Sequence, residues 1–311
     1  MFTNKNKIVI TGGAGFIGSN LANKLNDLGQ KVFVIDDLSK GKKEFLDNGI
    51  NLVVAKVQSK QAATTLRKIK PDFVVHLAAQ SSLAKSLKDP QSDFGKNLFP
   101  IVPLLDLSRE IKVNKFVFAS SAAVFGITDK LPISESDRKE PLSPYGLSKL
   151  TCEHYLEFVN RHFNLPYTTL RFANVYGPNQ NSTAEGGVVA IFISEVLSGI
   201  SPVIYGDGKQ TRDFIYVEDT TDAIITSLLS DISGDFNVGT ARETSINQLL
   251  EIICKATGVK VLGHHETGHE FGTAKNALSY EKIESHLNWK PRTTLEDGIR
   301  LTLKYFNEKS V

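Results

Sequence analysis

The sequence predicts an α/β fold: a doubly wound parallel sheet with a smaller, discontinuous α/β lobe drawn mainly from the C-terminal part of the chain. Three observations carry that expectation. Short apolar runs alternate with helical patterns from Lys7 onwards, the arrangement that gives parallel strands with helices on both faces. The first run ends in a glycine-rich turn that opens a helix. Beyond Ala173 the alternation loosens, so the later segments should close over the C-terminal edge of the sheet.

Lys7 to Thr11 (KIVIT) reads as a buried strand, followed by Gly12-Gly13-Ala14-Gly15-Phe16-Ile17-Gly18 and a helical pattern through Leu21, Leu25 and Leu28. The spacing of Gly12, Gly15 and Gly18 fits a turn in which one glycine allows the tight bend, one lets the backbone approach a pyrophosphate, and one lets helix pack on strand. The helix N-terminus, near Phe16 and Ile17, supplies the anion site. A second strand, Lys31 to Ile35, ends in Asp36, where a carboxylate can bind both hydroxyls of a ribose. Together these make a Rossmann dinucleotide site. Asp36 also repels a 2′-phosphate, and no basic residue follows it directly although Lys40, Lys42 and Lys43 lie nearby, so NAD is favoured over NADP.

The pattern continues with strands at Leu52 to Val57, Phe73 to Leu77 and Lys115 to Phe118, and helices near Gln61 to Ile69 and Phe94 to Arg109. Strands of such sheets deliver functional groups at their C-terminal ends. His76-Leu77-Ala78-Ala79-Gln80 ends one with small residues, where a nicotinamide ribose could lie. Ala119-Ser120-Ser121-Ala122-Ala123 ends the next with a hydroxyl pair that would otherwise be an ordinary serine-rich turn. Tyr167 to Arg171 is a further strand, leading into Phe172. Later come a helix over Val188 to Leu197, extended chain over Pro202 to Tyr205 and Phe214 to Val217, and a helix near Asp219 to Leu229. Phe236 to Val238 is extended, and helices follow over about Ser245 to Thr257 and Leu295 to Phe306. The expected division assigns residues 1–173, with a returning segment near 213–240, to the dinucleotide-binding domain, and 174–212 with 241–311 to a substrate lobe.

Between these strands stands Tyr145-Gly146-Leu147-Ser148-Lys149, preceded by Pro141 and Pro144 and followed by apolar residues at helical spacing. Four residues apart, Tyr145 and Lys149 share one face of a helix. An ammonium beside a phenol favours the phenolate and lowers its pKa from the usual value of about 10, making a candidate acid/base pair. Alone, such a pair is more often an exposed contact worth a few tenths of a kcal/mol.

Composition narrows the alternatives. The 311 residues are 41% hydrophobic and 23% charged, an ordinary soluble globular chain. A net charge of +2, with dispersed Lys and Arg, gives no reason to expect nucleic acid or a membrane surface as partner. Cys152 and Cys254 sit in helical patterns, so no disulfide framework is expected. The opening MFTNKNKIVI lacks a signal-peptide core and no apolar run reaches membrane-spanning length, so the expected location is cytoplasmic.

The stretches TGGAGFIGSNL, HLAAQSS, FASSAAVFG, PLSPYGLSK, LRFANVYGPNQ and YGDGKQTRDFIYVED, with Asp36, closely resemble the extended short-chain dehydrogenase/reductase family, in particular its UDP-glucose 4-epimerase-like members. The resemblance covers nearly the whole chain. It implies a bound NAD, a UDP-sugar between the lobes and, by analogy of the helices near Phe94 to Arg109 and Tyr145 to Phe163, a homodimer. It also implies roles for individual residues. Tyr145 would be the catalytic base, Lys149 the lysine that holds the nicotinamide ribose, and Ser121 the hydroxyl that shares the sugar O4 proton. Gly12, Gly15, Phe16, Ile17, Gly18, Asp36, Leu77, Ala78, Ala79, Asn97 and Phe172 would line the cofactor. Ser81, Asn174, Gly187, Val188, Tyr205 and Arg212 would line the nucleotide sugar, Arg212 gripping the diphosphate with its guanidinium fork.

Four places depart from the family pattern. Lys56 replaces an adenine-contacting Asp, Ala123 and Phe125 replace Thr and Tyr beside the serine, and Pro100 replaces a Gly. Between Gly268 and Ser279 the second diphosphate-binding arginine is missing, with His269 or Lys275 as substitutes, while Asn276 lies near the position that gates N-acetyl substrates. His265-Glu266-Thr267-Gly268-His269 spells a zinc motif but lies in a predicted loop without the helix it needs, so no metal is expected. Asn181-Ser182-Thr183 is a glycosylation acceptor only for a secreted chain. Ala122-Ala123 stands where the related dehydratases carry an Asp-Glu pair. The remaining alternatives are a nucleotide-4-keto-sugar reductase and a non-catalytic NAD or nucleotide-sugar binding protein.

Overall fold

The computed structural model describes residue 2 and residues 5–182, 187–267 and 273–309. Strand β1 (Lys7–Thr11) leads to α1 (Phe16–Asp27), β2 (Lys31–Asp36), β3 (Asn51–Val54), α2 (Lys60–Ile69) and β4 (Phe73–His76). Helices α3 (Leu83–Lys88), α4 (Pro90–Asn97) and α5 (Ile101–Glu110) precede β5 (Lys115–Ser121), and α6 (Pro144–Phe163) precedes β6 (Tyr167–Phe172). After β7 (Asn174–Tyr176), α7 (Val188–Leu197), β8 (Val203–Tyr205), β9 (Thr211–Arg212), β10 (Phe214–Tyr216) and α8 (Val217–Leu228), the chain returns to the main sheet as β11 (Gly234–Val238). It continues through β12 (Thr244–Ser245), α9 (Ile246–Thr257), β13 (His264–Glu266), α10 (Glu281–Leu287) and α11 (Leu295–Lys309).

The seven-stranded sheet has the order β11-β6-β5-β4-β1-β2-β3, and its pairings are all parallel. The order reverses between β1 and β4, which opens a crevice at the C-terminal ends of those strands. Alternation along each strand divides the core. Ile8, Ile10, Val32, Val34 and Val75 face α1 and α8, whereas Val9, Ile35, Val74, Phe116 and Phe118 face α2, α5 and α6. Burying each such side chain contributes about 2 kcal/mol. A further apolar cluster joins Tyr176, Phe192, Ile193, Ile204, Phe214, Leu249, Ile253 and Ile299 around α7, α9 and α11.

Three expectations need correction. The single helix over Phe94 to Arg109 is two, α4 and α5, broken at Leu98, Phe99 and Pro100. Pro100 has no N–H for the helical ladder and its ring clashes with the preceding turn, so the chain restarts with Pro100 as the N-cap of α5. The third strand stops at Val54, short of Val57, because Ala55 leaves the ladder after donating to the Asp36 carbonyl. His264–Glu266, taken for a loop, is a short strand parallel to β8. His269, the second histidine of the zinc motif, and Thr183 of the glycosylation triplet lie outside the described residues.

Candidate active site

The glycine turn fills the crevice at β1. Gly12 has a left-handed φ of +71°, and a Cβ there would lie 2.6 Å from the Ala78 nitrogen. A Cβ on Gly18 would lie 2.2 Å from the Gly12 carbonyl, so both positions admit only glycine. Gly15 is different: its Cβ would meet nothing nearer than the Gly12 oxygen at 3.3 Å. Gly15 is also the N-cap of α1 and supplies no side-chain cap, which leaves the amides at Phe16 and Ile17 facing outward.

Asp36 ends β2 with its carboxylate braced, Oδ2 accepting from the Ala14 amide at 3.0 Å and Oδ1 from the Leu38 amide at 2.9 Å. The loop beyond folds onto the glycine turn, the Lys42 amide donating to the Ala14 carbonyl. Lys56 is exposed just after β3 and acts on Asp37. Burial opposes ionisation of Asp37, but hydrogen bonding to Ser39 and the Lys56 ammonium together hold its carboxyl below the usual range. The charge that departs from the family pattern is thus met by an acid next to Asp36.

Leu77, Ala78 and Ala79 follow β4, half-buried, and Ser81 is exposed beyond them. Thr11 and His76, at the ends of β1 and β4, share a 2.6 Å hydrogen bond between Oγ1 and Nδ1. Phe172 is buried at the end of β6. Ser121 is the last residue of β5, and its Oγ accepts from the Ala123 amide.

Helix α6 begins where its sequence dictates, with Ser143 Oγ capping the Gly146 amide and Pro144 in the first turn. Tyr145 and Lys149 both face inward and are buried. Lys149 Nζ donates to the Ala119 carbonyl at 2.7 Å and lies 5.9 Å from the Tyr145 ring centre. Burial pushes the Tyr145 phenol up to about 12, opposed by its hydrogen bond with Ser121 and reinforced by Asp93. Burial pushes the Lys149 ammonium down to about 8. The lowering expected from Lys149 does not appear in the protein alone, where burial raises the phenol and Ser121 is the group that opposes it.

Asn97, the last residue of α4, spends its carboxamide on protein: Oδ1 accepts from the Gln80 amide at 2.8 Å, and Nδ2 donates to the Gln80 carbonyl and to Asp93 Oδ1. Asp93 also accepts from Ser148 Oγ at 2.7 Å. Sequence reading passed over Asp93 and Ser148. Their positions, one turn before Asn97 and one residue before Lys149, were the available signal. It also missed the network behind Ser121, in which buried Glu153 accepts from Ser120 Oγ and, through Nε and Nη2, from buried Arg171. Phe125 lies fully buried with the Arg171 guanidinium 5.2 Å from its ring centre. The hydroxyl missing at that position is therefore one the interior does without.

The residues expected to meet the sugar nucleotide stand on smaller elements. Asn174 opens β7, exposed, with its amide and side chain both donating to the Asp213 carbonyl. Gly187 caps α7, and Val188 is its first residue. Tyr205 ends β8, exposed. Arg212 ends β9 and donates from Nη1 to the Thr211 and Thr273 carbonyls. It does not pair with Asp213, whose buried carboxylate accepts from Thr240, Ala241 and Leu278. Exposed Lys275 follows Ala274, whose carbonyl accepts from the Thr211 amide, and the buried Asn276 Oδ1 has no partner.

The open backbone at Gly15, the uncapped start of α1 and the braced Asp36 carboxylate fit a dinucleotide. Among the described residues no cluster of His, Cys, Asp and Glu could hold a metal ion, and no helix is long and apolar enough to cross a membrane.

Comparison with known proteins gives the same direction. The family described as NAD dependent epimerase/dehydratase matches residues 8–239. The UDP-glucose 4-epimerase of Mycolicibacterium smegmatis is 35% identical over 311 residues, 98% of this chain and 99% of that protein. The crystal structure of UDP-glucose 4-epimerase with UDP-glucose from Thermotoga maritima superimposes with a TM-score of 0.95 at 37% identity, covering 98% of this chain and 100% of that one. The Thermus thermophilus UDP-glucose 4-epimerase complex with NAD gives 0.92 at 34% identity, covering 97% and 99%.

Proposed function

The chain belongs to the NAD dependent epimerase/dehydratase family, and from that premise we propose that it inverts C4 of a UDP-hexose, taking UDP-glucose and UDP-galactose through a transient 4-keto sugar. The observation that carries the reading is the buried Tyr145, one helical turn from the buried Lys149 on α6, with Ser121 at the C-terminal end of β5 in a dinucleotide-type sheet.

NAD, when bound, would supply reversible hydride acceptance. The protein's own groups do the rest. Gly15 and the start of α1 receive the pyrophosphate, and Asp36 accepts from the adenosine ribose. Lys149 holds the nicotinamide ribose. Tyr145 accepts the proton of the sugar 4-hydroxyl as the C–H bond at C4 breaks, with Ser121 keeping that oxygen in line. Tied only through its diphosphate, the 4-keto sugar turns over, the hydride returns to the opposite face of C4, and Tyr145 gives its proton back to O4. Asn174, Gly187, Val188, Tyr205 and Arg212 hold the nucleotide meanwhile. Lys275, on the segment hydrogen-bonded to β9, supplies a second cation where the family has an arginine. The buried, unpartnered Asn276 Oδ1 supports a role in meeting a substituent of the hexose, with N-acetyl sugars as further candidate substrates.

Separate incubation with UDP-glucose, UDP-N-acetylglucosamine and UDP-glucuronate, followed by proton NMR of the sugar, tests the reading. Catalytic inversion at C4 without added reductant supports it. Stoichiometric consumption of NADH would make the chain a 4-keto-sugar reductase, and binding without turnover would make it a sensor. We also propose a homodimer through α6 and its neighbours, where Leu147, Phe158, Phe163 and Phe99 are exposed. Sedimentation as a monomer at micromolar concentration would reject that.

A further inference from the structure

We propose that Asp93 is the positioning residue and buried counter-charge of the catalytic helix, fastening α6 to the loop after β4 and balancing the Lys149 ammonium. The inference rests on the reading of Tyr145 and Lys149 as the reacting pair. Asp93 is 1% exposed. Its Oδ1 accepts from Gln80 Nε2 and Asn97 Nδ2, each at 3.0 Å, and its Oδ2 from Ser148 Oγ at 2.7 Å. Ser148 lies between Tyr145 and Lys149 on α6. Gln80 follows Leu77, Ala78 and Ala79, and its backbone is gripped by Asn97. One carboxylate thus joins α4, α6 and the loop at the end of β4.

All of those donors are neutral. No ion pair among the described residues includes Asp93, whereas the other buried carboxylate beside Lys149, Glu153, is matched by Arg171 at 2.8 Å. A carboxylate removed from water without a cation is costly, and a nearby ammonium offsets that cost. Burial lowers Lys149, and Cys152, Asp93 and Glu153 oppose that lowering. Burial pushes the Cys152 thiol up to about 12, so it is neutral near pH 7. Burial, then Lys149 itself, pushes His76 down to about 3, so it is neutral as well. Tyr145 is a phenol until its proton is taken, and Asp235 beyond Glu153 is paired with Arg171. Asp93 remains as the negative group without a cation of its own that acts on both Lys149 and Tyr145. It favours the charged form of the lysine and adds to the effect of burial on the tyrosine.

The test is Asp93→Asn in the full chain, which keeps the shape and removes the charge. Carbon NMR of protein labelled at lysine Cε reads Lys149 directly, its signal identified by loss in Lys149→Arg, with no need for turnover or sugar. The Lys149 midpoint should fall by about one pH unit in D93N. Its kcat should fall about tenfold with KM changed less than about twofold, and the acid limb of the rate profile should move to lower pH. Ser148→Ala retains the charge and removes one donor, so kcat should fall about fivefold without lowering the Lys149 midpoint. An unmoved midpoint in folded D93N overturns the counter-charge, and wild-type kcat in S148A overturns the positioning role. If D93N does not fold, S148A decides. A wild-type chain that inverts no UDP-hexose defeats the reading in the preceding subsection, while the lysine titration still decides the role of Asp93.

Discussion

On the proposed cofactor side of the site, Gly12, Asp36, Ala78, Ser121 and Tyr145 sit at strand ends of the seven-stranded sheet or on the long helix α6, and their polar atoms are largely bonded within the protein. On the proposed sugar-nucleotide side, Asn174, Tyr205 and Arg212 sit on strands of two or three residues, and Asn174 and Tyr205 are exposed. The first arrangement fixes geometry through the core. The second rests on short strands outside the main sheet, so differences in substrate choice should concentrate there, while the chemistry should depend on the first.

That contrast can be broken by substitution. Tyr145→Phe removes the proton acceptor without disturbing the core and should lower kcat about 10³-fold or more with the nucleotide sugar still bound; retained turnover would end the distinction. His76 gives the next largest effect, on stability. Its folded pKa of about 3 lies below the ordinary 6.5, so the unfolded chain binds the extra proton. Stability is therefore fully present above pH 6.5 and lost as pH falls towards 3, by about 4 kcal/mol. Denaturation midpoints measured across that range should fall less steeply in His76→Leu. Gly18→Ala, forcing a Cβ against the Gly12 carbonyl, should cost about 2–3 kcal/mol in urea unfolding and weaken NAD binding. Arg212→Lys, on the other side, should raise KM for the UDP-sugar about tenfold, leaving kcat and the unfolding midpoint near wild type.

The same contrast explains what was legible in the sequence. The glycine turn, Asp36 and the Tyr145 helix could be read because fixed spacing is imposed by backbone geometry, and the parallel order followed from the alternation of elements. The break at Pro100 was readable in principle, since a proline inside a helical pattern marks a boundary. The roles of Asp93 and Glu153 were not readable, because Asp93 depends on Ser148, 55 residues away, and Glu153 on Ser120 and Arg171, 33 and 18 residues away, which only the folded chain brings within hydrogen-bonding distance. The depressed Lys149 and raised Tyr145 were missed for a related reason: spacing reports that two groups are neighbours but says nothing of how much water they lose.

The seventh strand has a consequence for how the molecule is made. β11 pairs with β6 only after the chain has run through α7, β8, β9 and α8. A nascent chain emerging from the ribosome cannot complete its sheet until residue 238 is out, and until then the β6 edge, with buried Arg171 lacking Asp235, stays uncovered. No single cut can separate the two halves into independently folding pieces, so limited proteolysis between β7 and α8 should leave fragments that stay associated until denatured.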